Sequence, residues 1–89
     1  MARLFVRHEV ADFNVWKQAY EDFDAERKTL GVIGDGVYQA DGNPNDVTAF
    51  HDFATMDEAK AFGQSPRLRE VMEAAGVQGP PTVWFANKA

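Results

Sequence analysis

The spacing of apolar residues changes within the first third of the chain, from every second position to every third or fourth position. Over residues 2–10, apolar side chains occupy every second position, as in a strand with one buried face. From Phe13 the spacing changes to three and four residues, and Asp12 before it is a good N-cap, so a helix is predicted over 13–29. His8 stands on the apolar face of the strand, where another aliphatic side chain would be expected. This position makes His8 the first candidate for a functional residue.

A hairpin is predicted after the first helix. Three glycines in the segment LGVIGDG end that helix and lead into a strand near 36–42. Residues 43–46, which are Asn-Pro-Asn-Asp, predict a turn, and alternation resumes over 46–54. Two strands joined by a short turn are typical of an antiparallel pair.

A second helical region and a last strand complete the chain. Thr55 followed by Glu58 matches a capping box, and apolar residues then recur at helical spacing over 56–75. Gly63 and the Ser-Pro pair shortly after it predict a break in this region, with the serine capping the second piece. The QGPP stretch that follows cannot be helical, and a final strand is expected over 81–88.

The order β-α-β-β-α-β predicts a single α+β domain over 1–89 with a ferredoxin-like arrangement. Its sheet would have four antiparallel strands, with the first and third in the centre and the helices on one face. The residues expected under the helices are Leu4, Val6, Val47, Ala49, Phe53, Val83 and Phe85.

The opposite face of this sheet carries Phe5, Phe50 and Trp84. Three large aromatic side chains on an uncovered sheet form an apolar patch of the kind that marks an interface. A second copy packed sheet against sheet would bury them, so a homodimer is predicted. Three charged residues lie on the same face and predict a set of ion pairs at this interface: Arg7, Glu9 and Asp52.

Composition and charge exclude several classes of function. The 89 residues include 9 Lys and Arg against 14 Asp and Glu, a formal net charge of -5, and no cysteine. Clustered basic residues are what binds nucleic acid or an anionic membrane, so neither partner is expected, and an RNA-recognition module with the same element order is disfavoured. Disulfides and thiolate sites are excluded. No apolar run spans a bilayer and no signal peptide is evident, so the expected location is cytoplasmic.

Three stretches, VRHEVADFNVWK, FATMDEAKAFGQSPRLREVMEAAGV and GPPTVWF, together resemble small bacterial proteins of the dimeric α+β barrel superfamily. The resemblance is strongest to those grouped with antibiotic biosynthesis monooxygenase domains. It covers nearly the whole chain, and it implies a ferredoxin-like protomer and a homodimer whose two sheets form a barrel.

What the resemblance implies about activity is broader, because the superfamily includes cofactorless quinone-forming monooxygenases, haem-degrading enzymes, isomerases and cyclases. The haem-degrading branch uses a histidine on the second helix, which this chain lacks, so haem is not expected. The monooxygenase branch often places its substrate between sheet and helices. In this chain Trp16, Tyr20 and Phe62 would line such a cavity.

His8 and His51 are the candidate catalytic residues, because the alternation of side chains places both on the apolar face of the two central strands. If Val6 lies opposite His51, the two histidines are diagonal neighbours with Cα atoms about 7–8 Å apart. They would then act as general acid and base through one bridging group, without a cofactor. A register slipped by two residues would separate them by a further 6–7 Å or so. Alternatively, each imidazole hydrogen-bonds a helix carbonyl or hydroxyl and fills the core.

No metal site and no cofactor are predicted. Two histidines on separate strands, without the spacing of a metal motif, supply too few ligands for a divalent transition metal. Two classes of function stay open. One is a cofactor-independent oxygenase, isomerase or cyclase acting on a small hydrophobic or aromatic molecule. The other is a non-catalytic dimeric module that binds a ligand or a protein.

Overall fold

A four-stranded antiparallel sheet with helices on one face organises the chain, and the computed structural model describes all 89 residues. The strand order is β2-β3-β1-β4, which places β1 and β3 in the centre. The α+β ferredoxin-like prediction is therefore confirmed. None of the helices has the length and apolar character needed to cross a membrane. The elements are β1 (Ala2–Val10), α1 (Phe13–Asp22), α2 (Asp24–Thr29), β2 (Gly34–Ala40), β3 (Asn43–Phe53), α3 (Met56–Gly63), α4 (Pro66–Ala74) and β4 (Val77–Asn87).

Side-chain caps begin three of the helices at the predicted positions. Asp12 accepts hydrogen bonds from two backbone N–H groups in the first turn of α1, at 2.9 and 3.4 Å. Thr55 accepts one from the first turn of α3 at 3.2 Å, and Ser65 accepts one from the first turn of α4 at 3.4 Å. The predicted break of the second helical region lies between α3 and α4 and is confirmed.

The first helical region is also divided, at Phe23, although one helix over 13–29 was predicted. The N–H of Phe23 still donates to the Ala19 carbonyl at 3.1 Å, and its own carbonyl accepts from the Arg27 N–H at 3.0 Å. The interruption is therefore confined to one residue. No glycine or proline marks it, so it follows from tertiary packing, which buries both Phe23 and Arg27.

The hairpin turns earlier than predicted. Asp41 and Gly42 form a two-residue turn, Ala40 pairs with Asn43, and Gly42 has a φ of +82°. Asp41 keeps a negative φ, so the turn requires the left-handed conformation only at its second residue, which glycine adopts without steric cost. The strand β3 therefore begins at Asn43, where the turn was expected, and a register shift between β2 and β3 accommodates Pro44.

The last strand begins four residues earlier than predicted, because extended structure continues through the QGPP stretch. The pairing of β4 with β1 shifts register between Arg7 and Glu9, and Gly79 has a φ of +72°. Prolines are tolerated at bulges and on edge strands, and β4 is an edge. As a result, His8 has no pairing partner on β4.

The face of the sheet toward the helices carries the predicted residues, but burial is uneven. The predicted core residues on β1 and β3 are buried. Val83 and Phe85 on β4 pair with Val6 and Leu4 on this face, yet they remain 42% and 36% exposed. The expectation that they are core residues is wrong, because α4 lies loosely over the edge strand and buries none of its own residues.

On the opposite face, the predicted ion-pair set has different partners. Both oxygens of Asp52 accept from Arg3, at 2.6 and 3.0 Å, whereas Arg7 binds Asp46 in the same bidentate way, at 3.0 and 2.6 Å. Glu9 forms no ion pair. Each arginine thus binds a carboxylate on the neighbouring strand β3. Arg3 lies directly opposite Asp52 in the sheet.

Candidate functional site

A cavity lies between the sheet and the helices, and all five predicted site residues line it. Its volume is about 50 Å³. A single buried water needs a cavity of about 10–15 Å³, so this cavity has room for a few waters in this conformation. Eleven of the 14 lining residues are hydrophobic. The predicted residues are His8 and His51 on the sheet, Trp16 and Tyr20 on α1, and Phe62 on α3.

The two histidines are buried without hydrogen-bond partners. Each is 6% exposed, and neither nitrogen of either ring contacts a donor or acceptor in the chain. The alternative interpretation, in which a helix carbonyl or hydroxyl satisfies each imidazole, is therefore wrong. A buried polar group left unpaired costs about 1–3 kcal/mol, so both side chains lower the stability of the fold unless something else binds them.

The expected close pairing of the histidines is also wrong. His8 lies opposite Val47 and His51 lies opposite Leu4, which places the two histidines four residues apart along the strands. This offset corresponds to about 13 Å. Each histidine consequently stands at its own end of the cavity, and one bridging group cannot contact both.

Aromatic rings connect the two ends. The His8 ring meets Trp16 edge-on with centroids 5.4 Å apart, and Trp16 stacks on Tyr20 at 5.1 Å. Tyr20 lies 5.9 Å from His51, which lies 5.1 Å from Phe62. Trp16 and Tyr20 meet because residues four apart share one face of a helix. The wall between the histidines is therefore a continuous run of rings.

A buried arginine stands beside His51. The side chain of Arg27 is 4% exposed, and its Nη1 donates to Asp35 at 2.8 Å. Its Nη2 donates to the Tyr20 carbonyl at 3.0 Å and to Asp24 at 3.2 Å. The guanidinium carbon lies 3.7 Å from the centroid of the Tyr20 ring, a cation–π contact. Asp35 also accepts a hydrogen bond from the Tyr20 hydroxyl and lies opposite His51 in the sheet.

Arg27 and Asp35 were missed as site residues by the sequence reasoning. Arg27 was visible only as one position of the helical stripe that begins at Phe13. A basic residue on an otherwise apolar stripe was the available signal. Nothing local linked it to Asp35, because the two meet only when β2 joins the edge of the sheet.

Both histidines are neutral at pH 7, because their surroundings lower the pKa of each imidazole. Burial lowers the pKa of His8 below its usual 6.5. For His51, burial and then the positive charge of Arg27 lower the pKa to about 4. A neutral imidazole has one donor and one acceptor nitrogen, so each ring presents both kinds of group without a partner.

Tyr20 and Asp35 are held in opposite protonation states. Burial and the hydrogen bond to Asp35 raise the pKa of Tyr20, which stays protonated. Burial alone would raise the pKa of Asp35, but hydrogen bonds from Tyr20 and Arg27 outweigh it, and the pKa falls below 3.8. The carboxylate of Asp35 is therefore ionised beside the arginine.

A larger groove of about 380 Å³ lies beside the cavity, between α4 and β4. Leu68 and Met72 on α4 line both spaces, so their side chains stand between them. The helix that carries them has no buried residue. Leu4 and Val6 on β1 also line both spaces, so the cavity and the groove are neighbours along the sheet.

No group of three or more His, Asp or Glu side chains is arranged to hold a metal ion. Among known proteins, no family model and no curated protein matches the chain. Solved structures do match along its whole length. A protein of Bordetella bronchiseptica assigned to the antibiotic biosynthesis monooxygenases superposes with a TM-score of 0.82 at 17% identity, covering 99% of this chain and 96% of that one. The chain has the antibiotic biosynthesis monooxygenase fold.

Two further structures with the antibiotic biosynthesis monooxygenase fold have described activities. A monooxygenase of Streptomyces coelicolor, in complex with the ligand nanaomycin D, has a TM-score of 0.70 at 17% identity and covers 99% of this chain and 87% of that one. SnoaB of Streptomyces nogalater, a cofactor-independent oxygenase, has a TM-score of 0.74 at 11% identity, with coverages of 99% and 94%. At these identities the likeness establishes the fold, as the sequence resemblance implied.

Proposed function

We propose that the chain binds a small aromatic molecule in the histidine cavity and acts on it without a cofactor, as a monooxygenase or, by proton transfer alone, as an isomerase or cyclase. The observation that carries this proposal is the pair of buried imidazoles without partners in one apolar cavity. A ligand with polar groups at both ends would satisfy them. The likeness to SnoaB supports the oxygenase as the first activity to test.

The two histidines take different roles in this proposal. Neutral imidazole is the form that accepts a proton, and both rings are in that form at pH 7. The charge of Arg27 lowers the pKa of His51 but is not among the causes that act on His8. His8 is therefore the proposed general base, and His51 is proposed to hydrogen-bond the substrate at the other end.

For a phenolic substrate the oxygenase reaction is balanced with dioxygen alone. His8 accepts the phenolic proton, which makes the ring electron-rich enough to react with dioxygen. One oxygen atom becomes the second carbonyl of a quinone. The other oxygen atom leaves in a molecule of water, whose two hydrogens are the phenolic hydrogen and the ring hydrogen that the substrate loses. Trp16, Tyr20 and Phe62 would form the apolar walls around the ring.

Oxygen consumption in the presence of phenols and quinols tests the proposal directly. The parent should consume dioxygen and form a product of the expected mass, and His8→Leu should abolish turnover while remaining folded. Trp84→Phe, which changes a ring on the opposite face of the sheet, serves as the matched control and should keep full activity. The absence of turnover with every phenol and quinol would refute the oxygenase.

A non-catalytic binding module is the second candidate, because the two histidines stand too far apart to act as acid and base on one group. In either role a ligand of drug size enters only if the side chains around the cavity move, since pockets for such ligands are about 300–1,000 Å³ and this cavity is about 50 Å³. A module would show a ligand-induced rise in melting temperature without oxygen consumption or product. An enzyme would show turnover as well.

We further propose that a second copy of the chain packs on the uncovered face of the sheet. Four rings form an aromatic band there, across all four strands. Centroids are 6.3 Å apart for Tyr38 and Phe50, 6.4 Å for Phe50 and Phe5, and 5.0 Å for the stacked Phe5 and Trp84. The flanking arginines are already paired within the chain, which lowers the cost of covering them.

Sedimentation at micromolar concentration tests the dimer. The parent should sediment as a dimer, and Trp84→Asp should shift it toward the monomer, because a carboxylate would be buried in the aromatic band. Val15→Asp is the matched control, since Val15 is an exposed apolar residue on α1, away from the sheet. A monomeric parent would refute the proposal.

A further inference from the structure

The helix α4 covers the histidine cavity without contributing a buried residue to the core. None of its nine residues is buried, whereas α1, α2 and α3 each bury at least one side chain. Three of its side chains, Leu68, Val71 and Met72, line the cavity and are only partly buried. Little buried surface therefore holds α4 in place, although it forms one wall of the cavity.

Open grooves lie along both sides of α4. The groove toward β4 has a volume of about 380 Å³. A second groove of about 480 Å³ lies between α4 and the pair of helices α1 and α2. Helices that pack tightly interdigitate their side chains and leave no space of this size between them. The flanks of α4 therefore leave room into which the helix can move.

The two ends of α4 are held differently. At the C-terminal end, Ala75 is buried, and the Ala11 N–H donates to the Gly76 carbonyl at 3.0 Å. Gly76 has a φ of +87°, a conformation that glycine adopts without steric cost. Hinges consist of a few such residues at the ends of elements, where they absorb changes of backbone angle. The C-terminal end is thus anchored and has the residue that a pivot needs.

One ion pair joins the first turn of α4 to the rest of the chain. Arg67 donates from Nε and Nη2 to the two carboxylate oxygens of Glu26 on α2, at 3.0 and 2.9 Å. No other ion pair links α4 to another element. The two side chains are 54% and 49% exposed. Exposed ion pairs are weak, so this one can break without unfolding the domain.

We infer that α4 is a lid over the histidine cavity, which pivots near Gly76 and is held closed by the Arg67–Glu26 ion pair, the latch. Outward movement of the first turns would withdraw Leu68 from the wall of the cavity and open the cavity to solvent. The lid lies on the helical face of the sheet, so a second copy packed on the aromatic band leaves it free. The inference concerns access to the cavity and applies equally to an enzyme and to a binding module.

Thiol labelling under native conditions measures how often the lid opens. The chain has no cysteine, so a single introduced thiol is the only group that reacts with the aromatic disulfide DTNB. Ala49→Cys places this thiol in the cavity, at a residue that is 1% exposed. Ala59→Cys is the matched control, because Ala59 is equally buried under α3 but does not line the cavity. A buried thiol reacts only from an open state, so Ala49→Cys should react faster than Ala59→Cys.

Loss of the latch should raise the labelling rate of Ala49→Cys. Glu26→Gln and Arg67→Gln should each increase the rate about two- to fivefold, the range expected for loss of an exposed ion pair. The two changes together should add nothing further, because either one already breaks the pair. Added salt should also raise the rate when the latch is intact, and not in the double variant, since salt screens exposed charges.

Glu21→Gln is the control for charge. It makes the same change of charge as Glu26→Gln but breaks the exposed Lys17–Glu21 pair within α1, so the labelling rate should not change. The measurement needs no ligand, and its outcome is therefore independent of the proposed function.

Three results would overturn the lid. Labelling of Ala49→Cys no faster than that of Ala59→Cys would mean that the cavity opens only with global unfolding. A rate that does not respond to Glu26→Gln and Arg67→Gln, or one that rises equally with Glu21→Gln, would remove the latch. If Ala49→Cys does not fold, amide hydrogen exchange of the cysteine-free chain decides. Glu26→Gln should then speed exchange in the first turn of α4 and not in α3, and equal exchange rates in the parent and the variant would overturn the inference.

Discussion

Lowering the pH from 7 to 4 should destabilise the fold through His51. In the folded chain, burial and the nearby Arg27 lower the pKa of this imidazole from 6.5 to about 4. In the unfolded chain the imidazole is exposed and binds a proton below about pH 6.5. Unfolding between these two pH values therefore takes up a proton, and the free energy of unfolding falls as the pH falls.

The size of this effect follows from the two pKa values of His51. They differ by about 2.5 units, and one unit is equivalent to about 1.4 kcal/mol. His51 should therefore remove about 3 kcal/mol of stability between pH 6.5 and pH 4. Its contribution is constant above this window, where both states are neutral, and below it, where both are protonated. Burial of His8 acts in the same direction.

Urea denaturation of the parent and of His51→Phe isolates this contribution. Phenylalanine keeps a ring beside Tyr20 and Phe62 but has no titrating group. The difference in unfolding free energy between the two proteins should change by about 3 kcal/mol from pH 7 to pH 4, in favour of the variant at low pH. Carboxylates that titrate near pH 4 are present in both proteins and cancel. The protein concentration must be the same throughout, since dimerisation would shift the stability.

Parallel pH curves for the two proteins would refute this reasoning. They would show that the folded and unfolded states protonate His51 equally, which requires a hydrogen-bond partner or solvent access for the ring. The assignment of His51 as a buried neutral imidazole would then be wrong, and its proposed role as a hydrogen-bond partner of the substrate would fail with it.

Three further changes test other parts of the structure. His8→Leu should unfold at the same or higher urea concentration than the parent, because it removes a buried polar group with no partner; a loss of more than about 1 kcal/mol would show that His8 is satisfied. Gly42→Ala should cost about 1 kcal/mol in urea melts, because the turn requires φ near +82°; an unchanged midpoint would contradict the turn. Gly36→Ala should weaken the dimer in sedimentation experiments, since a Cβ atom there would displace the Phe50 ring of the aromatic band; unchanged dimerisation would place the interface elsewhere.

Much of the fold could be predicted from sequence because the signals that define it are local. The change of period from two to 3.6 separates β1 from α1, and caps at Asp12, Thr55 and Ser65 mark where three helices begin. The interruption of the first helix at Phe23 and the register shift of β4 near Gly79 were not predictable in this way. Both depend on how distant parts of the chain pack or pair. No glycine or proline marks Phe23, and the QGPP stretch excludes a helix without showing where the strand shifts register.

The register between β1 and β3 shows the same limit in the candidate site. A slip of two residues leaves every side chain on its original face, so the alternation of apolar residues is equally satisfied by both registers. Parity therefore predicted correctly that His8 and His51 face the helices. It could not predict the distance between them, which depends on pairing Leu4 with His51.

Separation of the histidines changes what the cavity can do. At the His51 end the cavity is lined by the ion-paired side chain of Arg27 and by a neutral imidazole, whereas at the other end it is lined by the His8 ring against Trp16. The walls between these ends are aromatic on α1 and apolar on the sheet, so they offer little to orient a flat ring. Orientation of a bound aromatic molecule must therefore come from its polar groups. A molecule with an acidic hydroxyl would place that group at His8, because the charge of Arg27 lowers the pKa of His51 and does not act on His8.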